Sequence, residues 1–306
     1  MGTKQLRPKD ARMSYNYLRL GLVGSAVLLL AAILIEIDMT ADAARCVQTS
    51  ISGYYYTPVR AIFVGVLVAI GLLLMVIKGA DWEDLALNVA GLLAPIVAFV
   101  PTVNVGNCFS IPPQPLPLDL KPDGTPKEPF ELAPWVLRNI ENNTTAYLWV
   151  ALGGMILGIV LYLRRKRSVS PSEVPDQPTG SELPTRVSIV AFALIVIAGL
   201  FARYNWSDFN TTSHNVAAIG MFACLAVAAI INGITDRKSH PAYARWYLVI
   251  GVMMVLAGVG ILWVFKESFG GYHVLWVEGS EIALFTLYWV LQTIHHWHDP
   301  VDASAA

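Results

Sequence analysis

Long apolar runs recur along the whole chain and constrain its fold more than any other feature. Each run is about 18 to 22 residues long, and a helix needs roughly 20 residues to cross the core of a bilayer. The eight predicted spans are residues 17–37, 59–77, 84–102, 146–163, 187–203, 213–233, 244–265 and 274–295. The sequence therefore predicts an all-α fold, a polytopic transmembrane helix bundle in which residues 1–306 form a single integral membrane domain.

The basic residues predict the orientation of this bundle. Loops on one side carry 14 of the 21 lysines and arginines, including the run 164–167, whereas the longer loops on the other side carry the remaining seven. Because positive charge is retained on the cytoplasmic side, we expect a multi-pass protein of a bacterial cytoplasmic (plasma) membrane with both termini cytoplasmic. The formal net charge of −1 does not indicate a surface that binds nucleic acid, so the bilayer itself is the expected partner.

Two loops have distinctive compositions. The predicted outer loop 103–145 opens with a proline-rich segment, and its second half carries apolar residues at helical spacing: Leu132, Trp135, Val136 and Ile140. This spacing predicts a short amphipathic helix, which either lies at the outer membrane interface or packs against the bundle as a lid. Segment 164–186 is rich in serine and proline and is expected to be a flexible cytoplasmic linker between two four-helix halves.

The cysteines allow one covalent link between outer loops. Cys46 and Cys108 both fall in predicted outer loops, where the compartment permits disulfides. They form either a disulfide or two unpaired thiols.

Ionisable and hydroxyl residues gather at the predicted outer ends of spans one, two, six and eight. They are Glu36, Ser52, Arg60, Asp208, His214, His273, Glu278 and Glu281. Ionisable groups within a membrane face the bundle interior or a wet cavity, because exposing them to lipid is costly. We therefore expect Glu278 and Glu281 to line an outward-facing polar pocket, with Arg60 as their counter-charge and His214 as a titrating group.

Three chemistries could use this pocket. His214, His273 and Glu278 are zinc-ligand types, but no compact motif such as H-E-x-x-H accompanies them. A general acid or proton relay could use carboxylates whose pKa burial has raised. The third interpretation is a structural network of ion pairs. The cofactor stays undetermined, with zinc as the candidate.

Two polar stretches lie at the predicted cytoplasmic ends. Asp81, Glu83 and Asp84 are interpreted as caps of the third span, where carboxylates complement the helix dipole. The tract His295, His296 and His298 near the C-terminus favours an interfacial helix end, with a metal-binding tract as the alternative.

The stretch SISGYYYTPVRAIFVGVLVAIGLLLMVIKG, together with SHNVAAIGMF and HVLWVEGSEIALFTLYW, resembles an uncharacterised bacterial family of multi-span membrane proteins. That family is distantly similar to the Frag1/DRAM/Sfk1-type proteins, and the resemblance implies no established activity. Alkaline-ceramidase-like hydrolases, which use serine, aspartate and three histidines around zinc, are matched by Ser52, Asp208 and His214. The chain lacks their late H-x-x-x-H pair.

The function that these features favour is binding, sensing or translocation of a small or lipidic ligand through the outward-facing pocket. One alternative is a membrane-embedded lipid hydrolase with a metal requirement, and a second is a structural or scaffold membrane protein. The sequence decides neither whether the protein is an enzyme nor its oligomeric state.

Overall fold

The protein folds as a bundle of helices in the computed structural model, which describes residues 8–40, 47–79, 81–102, 121, 132–168, 182–261 and 266–297. The α-helices are α1 (Pro8–Met39), α2 (Arg60–Val76), α3 (Asp81–Phe99), α4 (Pro134–Ser168), α5 (Glu182–Asn205), α6 (Phe209–Thr235), α7 (Pro241–Val259), α8 (Lys266–Phe269) and α9 (His273–His295). A 3₁₀ turn, Ile51–Tyr56, precedes α2, and another, Gly270–Tyr272, precedes α9. The predicted all-α class is confirmed, since the described residues contain no β-strand.

Seven of these helices are long and apolar enough to cross a membrane, namely α1, α3, α4, α5, α6, α7 and α9. The remaining long apolar helix, α2, has 17 residues and a rise of about 25 Å, at the short end of the range for a span. The chain is therefore a multi-pass membrane protein.

The centre of the bundle is α3, which packs mainly against α2 and α6. Outside it, α6 packs on α7, whereas α9 lies against both α1 and α7. The α4–α5 pair is peripheral, since only 6% of each of these spans is buried, compared with 56% for α3. The most extensive contact of α3 is with α6, so the predicted first half of the chain packs directly against the predicted second half.

Glycines allow two pairs of helices to approach closely. A Cβ on Gly71 of α2 would lie 2.7 Å from the carbonyl oxygen of Gly91 in α3, and a Cβ on Gly91 would lie 2.6 Å from that of Gly71. The α6–α7 pair is similar, since a Cβ on Gly233 or Gly251 would lie 2.9 Å from a carbonyl oxygen of the facing helix. In both pairs backbone packs directly on backbone.

The start of α4 is packed against the bundle. Leu132, Val136 and Ile140 are buried in a cluster with Val100 and Phe209. Together with the continuity of α4 from Pro134 to Ser168, this matches the lid alternative and not a separate helix at the interface. The rest of the predicted outer loop, 103–120 and 122–131, lies outside the described residues, as do Cys46 and Cys108.

The predicted linker 164–186 is partly helical. Its first residues, 164–168, belong to α4, and its last, 182–186, belong to α5, while residues 169–181 lie outside the described part of the chain. The basic segment 164–168 continues α4 beyond its apolar span, because arginine and lysine have favourable helix propensities.

We predict that Ile140→Ala lowers the free energy of unfolding by about 2 to 5 kcal/mol, the usual loss for emptying a packed isoleucine site. Ile140 is fully buried, whereas Ile156 of the same helix is 53% exposed and serves as the control. Thermal unfolding of the purified protein in detergent, followed by circular dichroism, measures the difference. Equal effects of Ile140→Ala and Ile156→Ala would contradict the packed lid.

Candidate functional site

The first turns of α9 are joined to the segment just before the Ile51–Tyr56 turn. The backbone N–H of Leu275 donates to the carbonyl of Thr49 (3.0 Å), which satisfies one of the donors that every helix N-terminus leaves open. In the opposite direction, the backbone N–H of Ile51 donates to Oε2 of Glu278 (2.5 Å). These two hydrogen bonds place Glu278 beside residues more than 200 positions earlier in the chain.

Two serine hydroxyls continue the hydrogen-bond network from Glu278. The Ser50 hydroxyl lies 2.7 Å from Oε2 of Glu278 and 2.7 Å from the Ser52 hydroxyl. Oε2 already accepts from the Ile51 N–H, and a serine hydroxyl has one proton to give. The proton of Ser50 therefore goes to Glu278, and Ser52 donates to Ser50. Ser50 also caps the 3₁₀ turn by accepting from the backbone N–H of Ser52 (3.1 Å).

His214 completes this cluster from α6. Its Nδ1 lies 2.7 Å from the carbonyl oxygen of Val100, which can only accept, so Nδ1 carries a proton. In the neutral imidazole Nε2 is then an acceptor, and it lies 3.8 Å from Oε1 of Glu278. Two acceptors thus face each other across a gap wider than a hydrogen bond. A donor placed about 2.8 to 3.0 Å from each of them would bridge the pair.

An apolar groove opens beside this cluster. Only Ser52 and Glu278 among its lining residues are polar. The apolar walls come from α1, α2, α3, α6 and α9, with the α6 wall running from Ala218 to Leu225, about 10 Å along the helix. The groove therefore combines a long apolar lining with polar groups from the Glu278 cluster, which we define as Ser50, Ser52, His214 and Glu278.

Arg60 is not the counter-charge of the glutamates, which corrects the prediction. Its Nη2 donates to the Tyr55 hydroxyl (2.8 Å), and its guanidinium lies over the rings of Tyr55 and Trp135, 4.4 and 5.5 Å from their centroids. Burial raises the pKa of the Tyr55 hydroxyl, although the adjacent Arg60 acts to lower it. Aromatic faces attract a guanidinium about as well as an exposed carboxylate does.

Glu281 does not share the groove with Glu278. Three residues turn a helix by about 300°, so the two side chains point in directions about 60° apart. Glu281 is 2% exposed, and the nearest atom to a Cβ on Gly258 of α7 would be its Oε1, at 3.8 Å. Its Oε2 makes no hydrogen bond. The two glutamates therefore differ sharply, because Oε2 of Glu278 accepts two hydrogen bonds and Oε2 of Glu281 accepts none.

The other predicted site residues take separate positions. Asp208 is exposed at the start of α6, where its carbonyl accepts from the N–H groups of Thr211 and Thr212. Glu36 is buried in the last turn of α1. Burial raises the pKa of the Tyr54 hydroxyl, and the nearby Glu36 raises it further. His273 is half-buried at the first position of α9.

The predicted zinc ligands do not gather into a metal site. Within the described part of the chain, the group of three whose ligand atoms lie within 4.8 Å of one another is Asp236, His295 and His296, at the opposite end of the bundle. His214 and Glu278 are neighbours, but His273 does not join them in such a group. Each position along a helix turns the side chain by about 100°. His273 lies five positions before Glu278, so the two side chains leave α9 in different directions.

A second buried polar network lies towards that opposite end. Asn232 of α6 donates to Oε1 of Glu83 (2.7 Å) and to the hydroxyl of Tyr288 (2.5 Å). Gln292 also donates to the Tyr288 hydroxyl (3.1 Å), which in turn lies 3.3 Å from Oε1 of Glu83. Glu83 was interpreted as a helix cap, yet its carboxylate is buried in this network. The signal that could have shown it is Asn232, which directly follows the apolar run 216–231 of α6.

Comparison of the chain with models of protein families, with curated proteins and with solved structures gives no match. The similarity to the Frag1/DRAM/Sfk1-type proteins therefore stays a prediction.

We predict that Glu278→Gln lowers the free energy of unfolding by about 1 to 3 kcal/mol, because hydrogen bonds to a charged acceptor are stronger than those to an amide. Glu281→Gln is expected to leave stability unchanged or to raise it, because it replaces a buried carboxyl group whose Oε2 makes no hydrogen bond. Parallel denaturation of the two variants in the same detergent measures both effects. Greater damage from Glu281→Gln would contradict the assignment of partners.

A double-mutant cycle tests the position of Arg60. Because Arg60 and Glu281 share no partner, the effects of Arg60→Ala and Glu281→Gln on stability should add to within about 0.5 kcal/mol. Coupling between Arg60 and Tyr55, measured with Tyr55→Leu in a second cycle, should reach about 1 kcal/mol or more. A coupling energy above about 1 kcal/mol in the first cycle would restore the ion pair that the sequence predicted.

Proposed function

We propose that the protein binds an amphiphile within the membrane, with the alkyl chain of the ligand in the apolar groove and its head group at the Glu278 cluster. The observation that carries the proposal is the combination, in one groove, of thirteen apolar lining residues with Ser52 and Glu278. Ligand sites of this kind are mostly apolar and use a few polar groups to orient the ligand.

The chemistry of the cluster favours a head group that donates hydrogen bonds. In the described part of the chain no lysine or arginine pairs with Glu278, whose Oε1 faces Nε2 of His214 across 3.8 Å. A primary ammonium has three donors and a positive charge, so it could bridge both acceptors and neutralise the carboxylate. A carboxylate or phosphate head group would meet a like charge.

Binding is favoured over translocation by the arrangement along α9. Between the Glu278 cluster and the Glu83–Asn232–Tyr288 network, α9 carries Phe285, which is buried and whose ring packs on that of Trp289 with centroids 6.3 Å apart. The two polar networks are separated by about 15 Å of helix, the rise between Glu278 and Tyr288. A charged head group would have to leave its partners to cross this apolar section.

The hydrolase remains a second candidate because of the Ser52–Ser50–Glu278 chain. Ser52 lines the groove, and its hydroxyl can pass a proton through Ser50 to the carboxylate of Glu278. A serine with such a proton acceptor is the arrangement that nucleophilic catalysis uses. If the protein is a hydrolase, Ser52→Ala should abolish turnover of a bound ester. If the site only binds, the same change should leave the affinity for decylamine within a few-fold of the parent.

The test uses decylamine, decanol and decanoate, three probes with the same chain and different head groups. We predict that native mass spectrometry of the protein in nanodiscs detects binding in the order decylamine, decanol, decanoate. Ala218→Phe, which fills the groove, should weaken decylamine binding at least about tenfold. The matched control is Val216→Phe, on the same helix but with a side chain that is 60% exposed.

A second variant tests recognition of the head group separately from binding of the alkyl chain. Glu278→Gln should remove the preference for decylamine over decanol while decanol still binds. The proposal fails if Ala218→Phe and Val216→Phe bind decylamine equally well, or if decanoate binds as tightly as decylamine.

A further inference from the structure

Three side chains of metal-ligand type meet at the end of the bundle opposite Glu278. They are Asp236, which follows α6, His295, the last residue of α9, and His296, and their ligand atoms all lie within 4.8 Å of one another. Oδ2 of Asp236 is 3.9 Å from Nδ1 of His295. The two histidines come from the tract that the sequence favoured as an interfacial helix end.

The end of α9 explains why two adjacent histidines converge. In a continuing helix neighbouring side chains diverge by about 100°. Here the helix ends at His295, the backbone N–H of His296 still bonds the carbonyl of Gln292, and the chain then turns. The two imidazoles consequently stack, with centroids 4.2 Å apart and planes 30° apart.

We propose that Asp236, His295 and His296 bind a divalent transition-metal ion of the zinc class. Two imidazoles and one carboxylate form a ligand set that suits zinc, and three protein ligands leave one position of a tetrahedral site for water or a further ligand. The side chain of Asp236 is 21% exposed, so the ion can reach the site.

The surroundings of His295 also fit a metal ligand. The Tyr247 hydroxyl lies 2.9 Å from Nδ1 of His295, and the Tyr243 ring stacks on the imidazole with centroids 4.2 Å apart. Histidines that bind metals characteristically hydrogen-bond a neighbouring oxygen through the other ring nitrogen, which fixes the ring. Tyr247, buried in α7, holds Nδ1 in this way, so Nε2 is the nitrogen of His295 that would bind the ion, and α7 supports the site.

Such an ion would add a link between the ends of α6 and α9. Direct contact between α6 and α9 is slight compared with the contacts that each makes with α7. Asp236 belongs to the end of α6 and the histidines to the end of α9, so coordination ties the two through one point. Binding to the folded state alone would raise the thermal stability of the protein.

The experiment uses the full chain in nanodiscs, purified with a tag that contains no histidine and stripped with a chelator. Isothermal titration calorimetry with Zn²⁺ and measurement of bound metal should give one ion per chain, together with a higher midpoint of unfolding. His296→Ala and Asp236→Asn should each weaken binding at least about 100-fold. Tyr247→Phe, which leaves the ligands in place, should weaken it about tenfold.

Two results distinguish this site from a simple histidine tract. His273→Ala, at the far end of the same helix, should bind Zn²⁺ like the parent, and this variant controls for loss of any histidine. If Asp236→Asn binds as the parent does, the ion is held by the tract alone and the proposal is overturned. Absence of a stoichiometric ion from the parent would overturn it as well. Neither outcome bears on amphiphile binding, which takes place at the other end of the bundle and is measured without metal.

Discussion

Two hydrogen bonds between residues 49–51 and the first turns of α9 determine how the Glu278 end of the bundle is built. In a membrane interior, backbone and carboxylate groups need protein partners, because lipid offers none. The Thr49 carbonyl takes the Leu275 N–H, and Glu278 takes the Ile51 N–H. This exchange joins two distant segments of the chain, and both the serine network and the polar end of the groove depend on it.

The same requirement explains the distribution of polar residues along α9. Glu278 at one end and Tyr288 towards the other have partners on a different helix or segment, and Gln292 donates to Tyr288 of its own helix, whereas the ring of Phe285 between them packs on Trp289. Glu281 is the exception, since its Oε2 is buried without a hydrogen bond. A helix that carries so many polar groups can be stable in the bundle only in one rotational setting, which fixes the direction of Glu278.

Much of the architecture was predictable, because the length of an apolar run and the spacing of its residues are local properties of the sequence. The grouping of His214 with Glu278 also followed, since both lie at the same ends of their spans. The partner of Arg60 could not be predicted, because the faces of Tyr55 and Trp135 compete with carboxylates for the guanidinium and no local sequence pattern shows which of them binds it. Glu83 was misread for a similar reason. Its partner Asn232 lies 149 positions away in the chain.

The metal-type cluster shows another limit of the sequence. The side chains of adjacent histidines diverge within a helix and can converge at its end. Whether His295 and His296 form a site therefore depends on the residue at which α9 ends, and helix ends are the least predictable feature of an element. Asp236 joins the pair only because α6 ends at the same level of the bundle as α9.

The glycine contacts distinguish two kinds of wall in the groove. A Cβ on Gly71 or Gly91 would lie within 2.7 Å of a carbonyl oxygen of the facing helix, and one on Gly233 or Gly251 would lie 2.9 Å from such an oxygen. The lining residues of α2, α3 and α6 therefore belong to closely paired helices. The rest of the lining belongs to α1, α9 and the turn before α2, which have no such contact: Ala26, Leu29, Ile51, Ser52, Glu278, Ile282 and Phe285. Tightly paired helices thus form one side of the groove, and the first and the last helix meet on the other.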